Sequence, residues 1–279
     1  MIRSERSTNG TGSQVGRPTD QAAGLRQMFA ARVIRFIPVV ANASAACGGL
    51  VLERLCAAYG SFGLNTLVVD ASDQARPPSE LSAFDLSEGI EVLSSQVSYM
   101  PARGLPLRHV DARGSCATLL DALADASPQS DVVLIHAPAS ELVRIFSQRA
   151  RASNLRPLLF CNDLAEGLTD AYTAIKTITQ RGHWMAYDLI VCASARSQQA
   201  DEVGRRLAQC ADNFLGAAQR RCLRLDPHES AIVDPNPEFM ELAAGLLQCA
   251  WVQTLGDTAF DHLVSPGAAL PSRAAPVLN

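Results

Sequence analysis

Lysine is almost missing from this chain: among 279 residues it occurs once, as Lys176, and every other basic side chain is an arginine. Any site that needs a lysine elsewhere in the chain is therefore excluded from the start. The 24 basic residues are outnumbered by 28 acidic ones, and the formal net charge is −4. This balance provides no overall attraction to nucleic acid or anionic lipid. We expect no direct nucleic-acid binding and only weak or indirect membrane contact.

Paired cysteine motifs and long apolar runs are also missing. The eight cysteines stand alone at positions 47, 56, 116, 161, 192, 210, 222 and 249. Without a C-x-x-C pair, the spacing supports neither a zinc site nor a redox motif, and we expect no bound metal. Most of the cysteines lie in apolar segments, where a reduced thiol packs as a small hydrophobe. This pattern predicts a reducing, cytoplasmic compartment. No uncharged stretch reaches the length of a membrane span, and the first residues lack a signal-peptide core.

What the chain does contain is a regular alternation of apolar runs and helical patterns, and 48% of its residues are hydrophobic. Strands are predicted at 33–40, 66–70, 131–136, 156–161, 187–193 and, less regularly, 221–225. Helices are predicted at 50–62, 115–126, 139–151, 168–181, 198–214 and 237–254. Continuous apolar strands are typical of a parallel sheet covered on both faces. The alternation predicts a doubly wound α/β fold with a mostly parallel sheet.

The composition divides the chain into four parts. Residues 1–18 are rich in Ser, Thr and Gly and are predicted to be disordered. Residues 19–31 form a short amphipathic helix that Thr19 caps. Residues 32–256 form the α/β domain, whose least regular part is 74–114. The Pro- and Ala-rich residues 257–279 form a flexible tail.

The segment ANASAACGG, residues 41–49, joins the first strand to the first helix. This strand–loop–helix frame is the one on which nucleotide enzymes bind phosphate. Such a loop ends in a lysine for the phosphates and a Ser or Thr for Mg²⁺. Here Gly48 and Gly49 lead directly into the helix. The loop is therefore interpreted as a vestigial phosphate loop. The alternative is a plain connection of a Rossmann-like fold, in which small residues allow close packing.

Four segments together resemble the MinD/ParA group of P-loop ATPases, and most closely its flagellar-number regulators, FlhG and FleN. They are the DQA helix (19–31), the strand–loop–helix–strand frame (32–72), GLTDAYTAIKTI (167–178) and the strand and helix at 189–216. The resemblance implies the P-loop NTPase fold of MinD. It also implies a role in flagellar biosynthesis and recruitment to the cell pole.

In that family the DQA helix engages the signal-recognition GTPase FlhF and stimulates its hydrolysis. The matching residues of this chain are Asp20, Gln21, Ala22, Leu25 and Arg26. The resemblance therefore implies an FlhF-type GTPase as the partner. A flagellar transcription activator or a component of the C-ring is a further partner that the family suggests.

The departures from the family all fall on its nucleotide site. The corresponding positions are Ala43, Ser44, Gly48, Gly49, Asp70, Ser72 and His136. Ala43 and Gly48 replace the two lysines, and Gly49 replaces the hydroxyl that binds Mg²⁺. Asp70 is kept, whereas Ser72 and His136 replace aspartates. Each lost charge-assisted contact is worth about 1.5–3 kcal/mol. We therefore expect no ATP or Mg²⁺ cofactor and no catalytic residue, with His136 a polar strand-end residue rather than a base.

Two alternatives remain open at this point. The chain is an active, divergent MinD/ParA-type ATPase if Arg35 or Arg54 takes the place of a lysine. It is a scaffold of another MinD-like branch, such as one that localises cellulose synthesis, if it has lost both ATP and the GTPase. The helix at 237–254 resembles the lipid anchor of MinD, but acidic residues on its polar side favour a role in the core or at a protein interface.

Overall fold

The computed structural model describes residues 32–147, 154–228 and 236–255. The predicted disordered segment 1–18 and the predicted tail 257–279 lie outside these ranges. So does the DQA helix, 19–31, with its five proposed partner-binding residues, Asp20, Gln21, Ala22, Leu25 and Arg26.

A nine-stranded sheet forms the centre of the described chain. The strands are β1 (Arg32–Val40), β2 (Thr66–Asp70), β3 (Glu91–Val92), β4 (Val97–Pro101), β5 (Val132–Ala137), β6 (Leu158–Asn162), β7 (Ala186–Cys192), β8 (Ala218–Leu225) and β9 (Trp251–Leu255). Their order is β3-β4-β2-β5-β1-β6-β7-β8, and β9 pairs with β1. Along this order every pairing is parallel except that of β3 with β4. The predicted doubly wound, mostly parallel α/β fold is confirmed.

Helices cover both faces of this sheet. They are α1 (Gly48–Ser61), α2 (Leu105–Arg108), α3 (Thr118–Ala126), α4 (Ala139–Phe146), α5 (Ala165–Gly182), α6 (Ala200–Leu215) and α7 (Pro237–Gln248). Residues of α2 to α6 share one buried cluster with Val133 and Ile135 of β5. Residues of α1 and α7 share a second cluster with Val132 and Leu134 of the same strand. Successive side chains of a strand point to opposite faces, so a strand that is buried on both faces is apolar throughout. None of the helices within the described ranges is long and apolar enough to cross a membrane.

Two parts of the chain differ from the predicted elements. The irregular segment 74–114 contains β3 and β4, and β4 lies in parallel beside β2. Ser98 and Pro101 interrupt the apolar pattern of β4, so the sequence does not predict this strand. The predicted helix 237–254 ends at Gln248, and its last residues belong to β9 instead. Trp251 there packs against Phe36, with 5.5 Å between ring centroids, because aromatic and β-branched residues suit a half-buried strand.

The apolar face of α7 is part of the core. Phe239, Leu242 and Leu246 are buried in the cluster shared with α1. The interpretation of this helix as a core element is confirmed.

One pair of cysteines corrects the expectation that the thiols stay apart and reduced. Cys47, just before α1, and Cys192, at the end of β7, form a disulfide across 145 residues of sequence. Both lie at the carboxyl edge of the sheet, where strands that are distant in sequence come together. The spacing of the cysteines along the chain does not predict this contact. The other six cysteines are free thiols.

Candidate functional site

A groove of about 1340 Å³ opens at the carboxyl ends of β1, β2 and β5 and continues along α1. In parallel sheets this edge is where ligands bind. The residues singled out from the sequence that line the groove are Ala43, Gly48, Gly49, Asp70, Ser72 and His136. The seventh, Ser44, instead lines a small hollow beside α5. The fold thus brings the family-like positions together, as the resemblance implies.

Asp70 and His136 form a hydrogen-bonded pair at the base of the groove. They are register partners on β2 and β5, and His136 Nδ1 lies 2.9 Å from Asp70 Oδ1. The Ser72 amide donates to Oδ1 at 3.1 Å, and the Tyr99 hydroxyl donates to Oδ2 at 3.3 Å. Burial opposes ionisation of Asp70, but the hydrogen bond and charge of His136, together with the Ser72 hydrogen bonds, outweigh it and hold the pKa of Asp70 below its usual value. The sequence gives no sign of this contact, because the two residues lie 66 positions apart.

The imidazole of His136 occupies the space beside the loop. Its Nε2 is buried without a hydrogen-bond partner among the described residues. A Cβ atom on Gly48 would lie 3.1 Å from Phe160 Cζ and 3.5 Å from His136 Cε1. A Cβ atom at position 48 would therefore require the Phe160 ring to shift by a few tenths of an ångström, whereas its distance to His136 is that of ordinary van der Waals contact. Gly49 has no such neighbour within 4 Å.

Charge in the groove opposes a phosphate ligand. Four carboxylates line it, those of Glu53, Asp70, Asp73 and Asp170. Arg76 is the one arginine or lysine in the described lining, and its guanidinium is paired with Glu91 at 2.9 Å. The residues present therefore do not fit the phosphates of Mg²⁺–ATP, which need cations around them.

The two arginines considered as replacements for lysine do not line the groove. Arg35 lies in β1, five residues before the strand ends, which is about 16 Å at the usual rise of a strand. Arg54 is buried in α1. Within the described ranges, no group of three or more His, Cys, Asp or Glu side chains is arranged to hold a metal ion.

The side-chain amides of Asn42 and Asn162 hold the first half of the loop in place, although the sequence pattern does not mark them as functional. Asn42 Nδ2 donates to the carbonyl oxygens of Phe160 and Gly167, at 3.1 Å each, and its Oδ1 accepts from the Ser44 amide. Asn162 Nδ2 donates to the Ser44 carbonyl at 2.8 Å. These bonds tie the loop to β6 and to the start of α5. Asn and Asp are common in turns, which is the only signal that the sequence offered.

The TDAY helix, α5, is part of this support. Asp170 Oδ2 accepts from the Ser44 hydroxyl at 2.5 Å, while Lys176 is exposed. Gly167 is required by close packing, since a Cβ there would lie 2.1 Å from Asn162 Oδ1. This motif therefore has a structural explanation in the chain itself.

No protein-family model matches the sequence, and no curated protein matches it. Solved structures do match. Cobyrinic acid a,c-diamide synthase from Mycobacterium smegmatis, with bound ADP and magnesium, is 17% identical, and the match covers 77% of this chain and 94% of that chain with a TM-score of 0.50. The MinD cell division protein of Aquifex aeolicus is 14% identical over 76% of this chain and 96% of its own, with a TM-score of 0.48.

A putative plasmid partition protein from Borrelia burgdorferi B31, bound to AMPPNP, is 9% identical over 77% of this chain and 98% of its own, with a TM-score of 0.49. At such low identity the similarity concerns the fold alone. The chain thus shares the α/β fold of the synthase structure.

Proposed function

We propose that this chain is a non-hydrolysing protein of the MinD/ParA fold that acts by binding a partner. The observation that carries the proposal is the arrangement beside Gly48, where Phe160 and the His136–Asp70 pair fill the space next to the loop. A P-loop ATPase needs a lysine and a magnesium ligand in that region. This chain has no lysine in its loop, and four carboxylates line the groove, where they repel a phosphate.

The partner in this proposal is an FlhF-type signal-recognition GTPase. Support comes from the DQA sequence ahead of β1 and from the other segments that resemble the flagellar-number regulators. Asp20, Gln21 and Ala22 would make the contact, with Leu25 and Arg26 beside them. The protein would work in the cytoplasm, near the cell pole, in the control of flagellar biosynthesis. A flagellar transcription activator or a C-ring component would be a second partner.

Isothermal titration with Mg²⁺–ATP tests the loss of the nucleotide site. With several charge-assisted contacts missing, each worth about 1.5–3 kcal/mol, we expect a dissociation constant weaker than about 100 μM and no turnover. A dissociation constant near 1 μM, or measurable ATP hydrolysis by the purified chain, contradicts the proposal and returns the divergent ATPase to consideration.

A GTPase assay tests the partner. The chain is expected to bind an FlhF-type GTPase and to accelerate its hydrolysis, and the double variant Asp20→Ala/Gln21→Ala is expected to lose both effects. Gln14→Ala, a change upstream of the predicted helix, is the matched control and should act like the wild type. Equal binding of the GTPase by the double variant and the wild type would show that Asp20 and Gln21 do not make the contact. No binding by any of them would favour a scaffold of another MinD-like branch.

A further inference from the structure

Cys47 and Cys192 join two parts of the carboxyl edge of the sheet that no continuous element connects. Cys47 is the residue before α1 and directly precedes Gly48, while Cys192 is the last residue of β7. In the sheet, β6 lies between β1 and β7. The Cα atoms are 6.5 Å apart, which is within the range that a disulfide spans. The bond therefore crosses the end of β6 and ties the loop to β7.

Four of the other described cysteines, Cys56, Cys116, Cys161 and Cys222, are poor candidates for redox chemistry. Burial raises the pKa of the Cys56 and Cys161 thiols to about 12, and it also raises the pKa of Cys116 and Cys222. A thiol that stays protonated does not attack a disulfide. Cys47 differs in its position, since it directly precedes α1 and has a cysteine partner within bonding distance.

The loop has two anchors of different chemistry. Its first half is held by hydrogen bonds that Asn42, Asn162 and Asp170 make, and these do not respond to a reductant. Its second half is held through the sulfur of Cys47. Ala46 and Gly49, on either side of Cys47 and Gly48, are exposed, so a local opening of this half brings the sulfur within reach of a small thiol.

We propose that Cys47 and Cys192 are a reversible redox pair whose disulfide fixes the second half of the loop to β7 and whose reduction frees it. The two thiols react with a small disulfide of the glutathione type through a mixed disulfide. One S–S bond forms in the protein and one breaks in the reagent. The two electrons go from the protein sulfurs to the reagent, and the two thiol protons end on the two small thiols released. An excess of the small thiol reverses the exchange. This proposal is independent of the proposed function.

Alkylation at defined ratios of oxidised to reduced glutathione tests the pairing. The full-length chain is equilibrated at each ratio, quenched with acid and alkylated, and each cysteine is then quantified by peptide mass spectrometry. We expect Cys47 and Cys192 to lose alkylation together in one two-electron transition and to recover it fully with excess reductant. Cys210, which is exposed, should not follow that transition. Full alkylation of both residues at every ratio, or a bond that folded protein keeps in excess dithiothreitol, overturns the proposal.

Hydrogen exchange tests the consequence for the loop. Amides 45–49 of the wild type are expected to exchange about threefold or more faster after reduction, because local opening sets their exchange rate. Cys192→Ser should show the fast rate under both conditions, and the matched control Cys210→Ser should respond like the wild type. Because the comparison of the oxidised and reduced wild type needs no variant, equal exchange in those two samples is enough to refute the effect on the loop.

Discussion

Asp70 and His136 are the residues on which the chemistry of the groove depends. The carboxylate accepts hydrogen bonds from His136, Ser72 and Tyr99. A divalent cation that took the place of one of these donors would have to break its hydrogen bond first. Within the groove, His136 therefore serves as a hydrogen-bond partner of Asp70.

The first prediction concerns pH. Because the folded-state pKa of Asp70 lies below its usual value of about 3.9, its contribution to stability is complete above that value and is lost as the pH falls through the folded-state pKa. Asp70→Asn should lower the free energy of unfolding by about 1–3 kcal/mol at pH 7, and this difference should shrink below about pH 4. Urea unfolding at several pH values measures it.

The matched control for this change is Asp73→Asn, since Asp73 lines the same groove but is exposed. It should alter the free energy of unfolding by less than about 0.5 kcal/mol. A penalty for Asp70→Asn that stays constant from pH 7 to pH 3 would show that the charge of Asp70 contributes nothing.

The second prediction compares the two glycines that open α1. Gly49→Ala should raise the free energy of unfolding by about 0.5–1 kcal/mol, because alanine favours the helix and its Cβ meets nothing. Gly48→Ala should not raise the free energy of unfolding, because its Cβ would lie too close to the Phe160 ring. Gly48→Lys should lower the free energy of unfolding by about 1–3 kcal/mol through overpacking. Thermal unfolding measures all three. Equal stabilisation by both alanines would show that the rings beside Gly48 give way easily.

At the scale of the element, the loop and α5 behave as one unit. Asn42, Asn162 and Asp170 tie the loop to β6 and α5 by side-chain hydrogen bonds. The frame of strands and helices around it could be predicted from the sequence because apolar runs and helical patterns are local signals. β4 and β9 could not, because neither has an uninterrupted apolar run and each is stabilised by a strand that is distant in sequence.

The third prediction concerns this unit. Asn42→Ala removes two donors from the carbonyls of Phe160 and Gly167 and should lower the free energy of unfolding by about 1–3 kcal/mol. Asn42→Asp should lower it further at pH 7, since a carboxylate would face those two carbonyl oxygens. Urea unfolding measures both. Gln74→Glu, an exposed amide at 3.4 Å from the carbonyl of Ala43, is the control and should have little effect. An Asn42→Asp variant as stable as Asn42→Ala would contradict the assigned orientation of the amide.

At the scale of the whole molecule, the disulfide closes a loop of 145 residues. A cross-link of this length restricts the unfolded chain strongly, and such bonds contribute typically about 2–4 kcal/mol. The fourth prediction is that reduction lowers the urea midpoint of the wild type by the equivalent of about 2–4 kcal/mol. Cys210→Ser should show the same drop, and Cys47→Ser should show none. If reduction does not change the urea midpoint of the wild type, the disulfide does not stabilise the protein by restricting its unfolded chain.

Local patterns in the chain are enough to predict the fold class, because continuous apolar strands require a sheet covered on both faces, and they are enough to show that the loop has no lysine. The contact with a GTPase through residues 19–31 stays a prediction. The pairing of Asp70 with His136, 66 residues away, and of Cys47 with Cys192 follows from the tertiary structure alone. Both contacts depend on strand order and register, which bring together residues that local patterns do not connect.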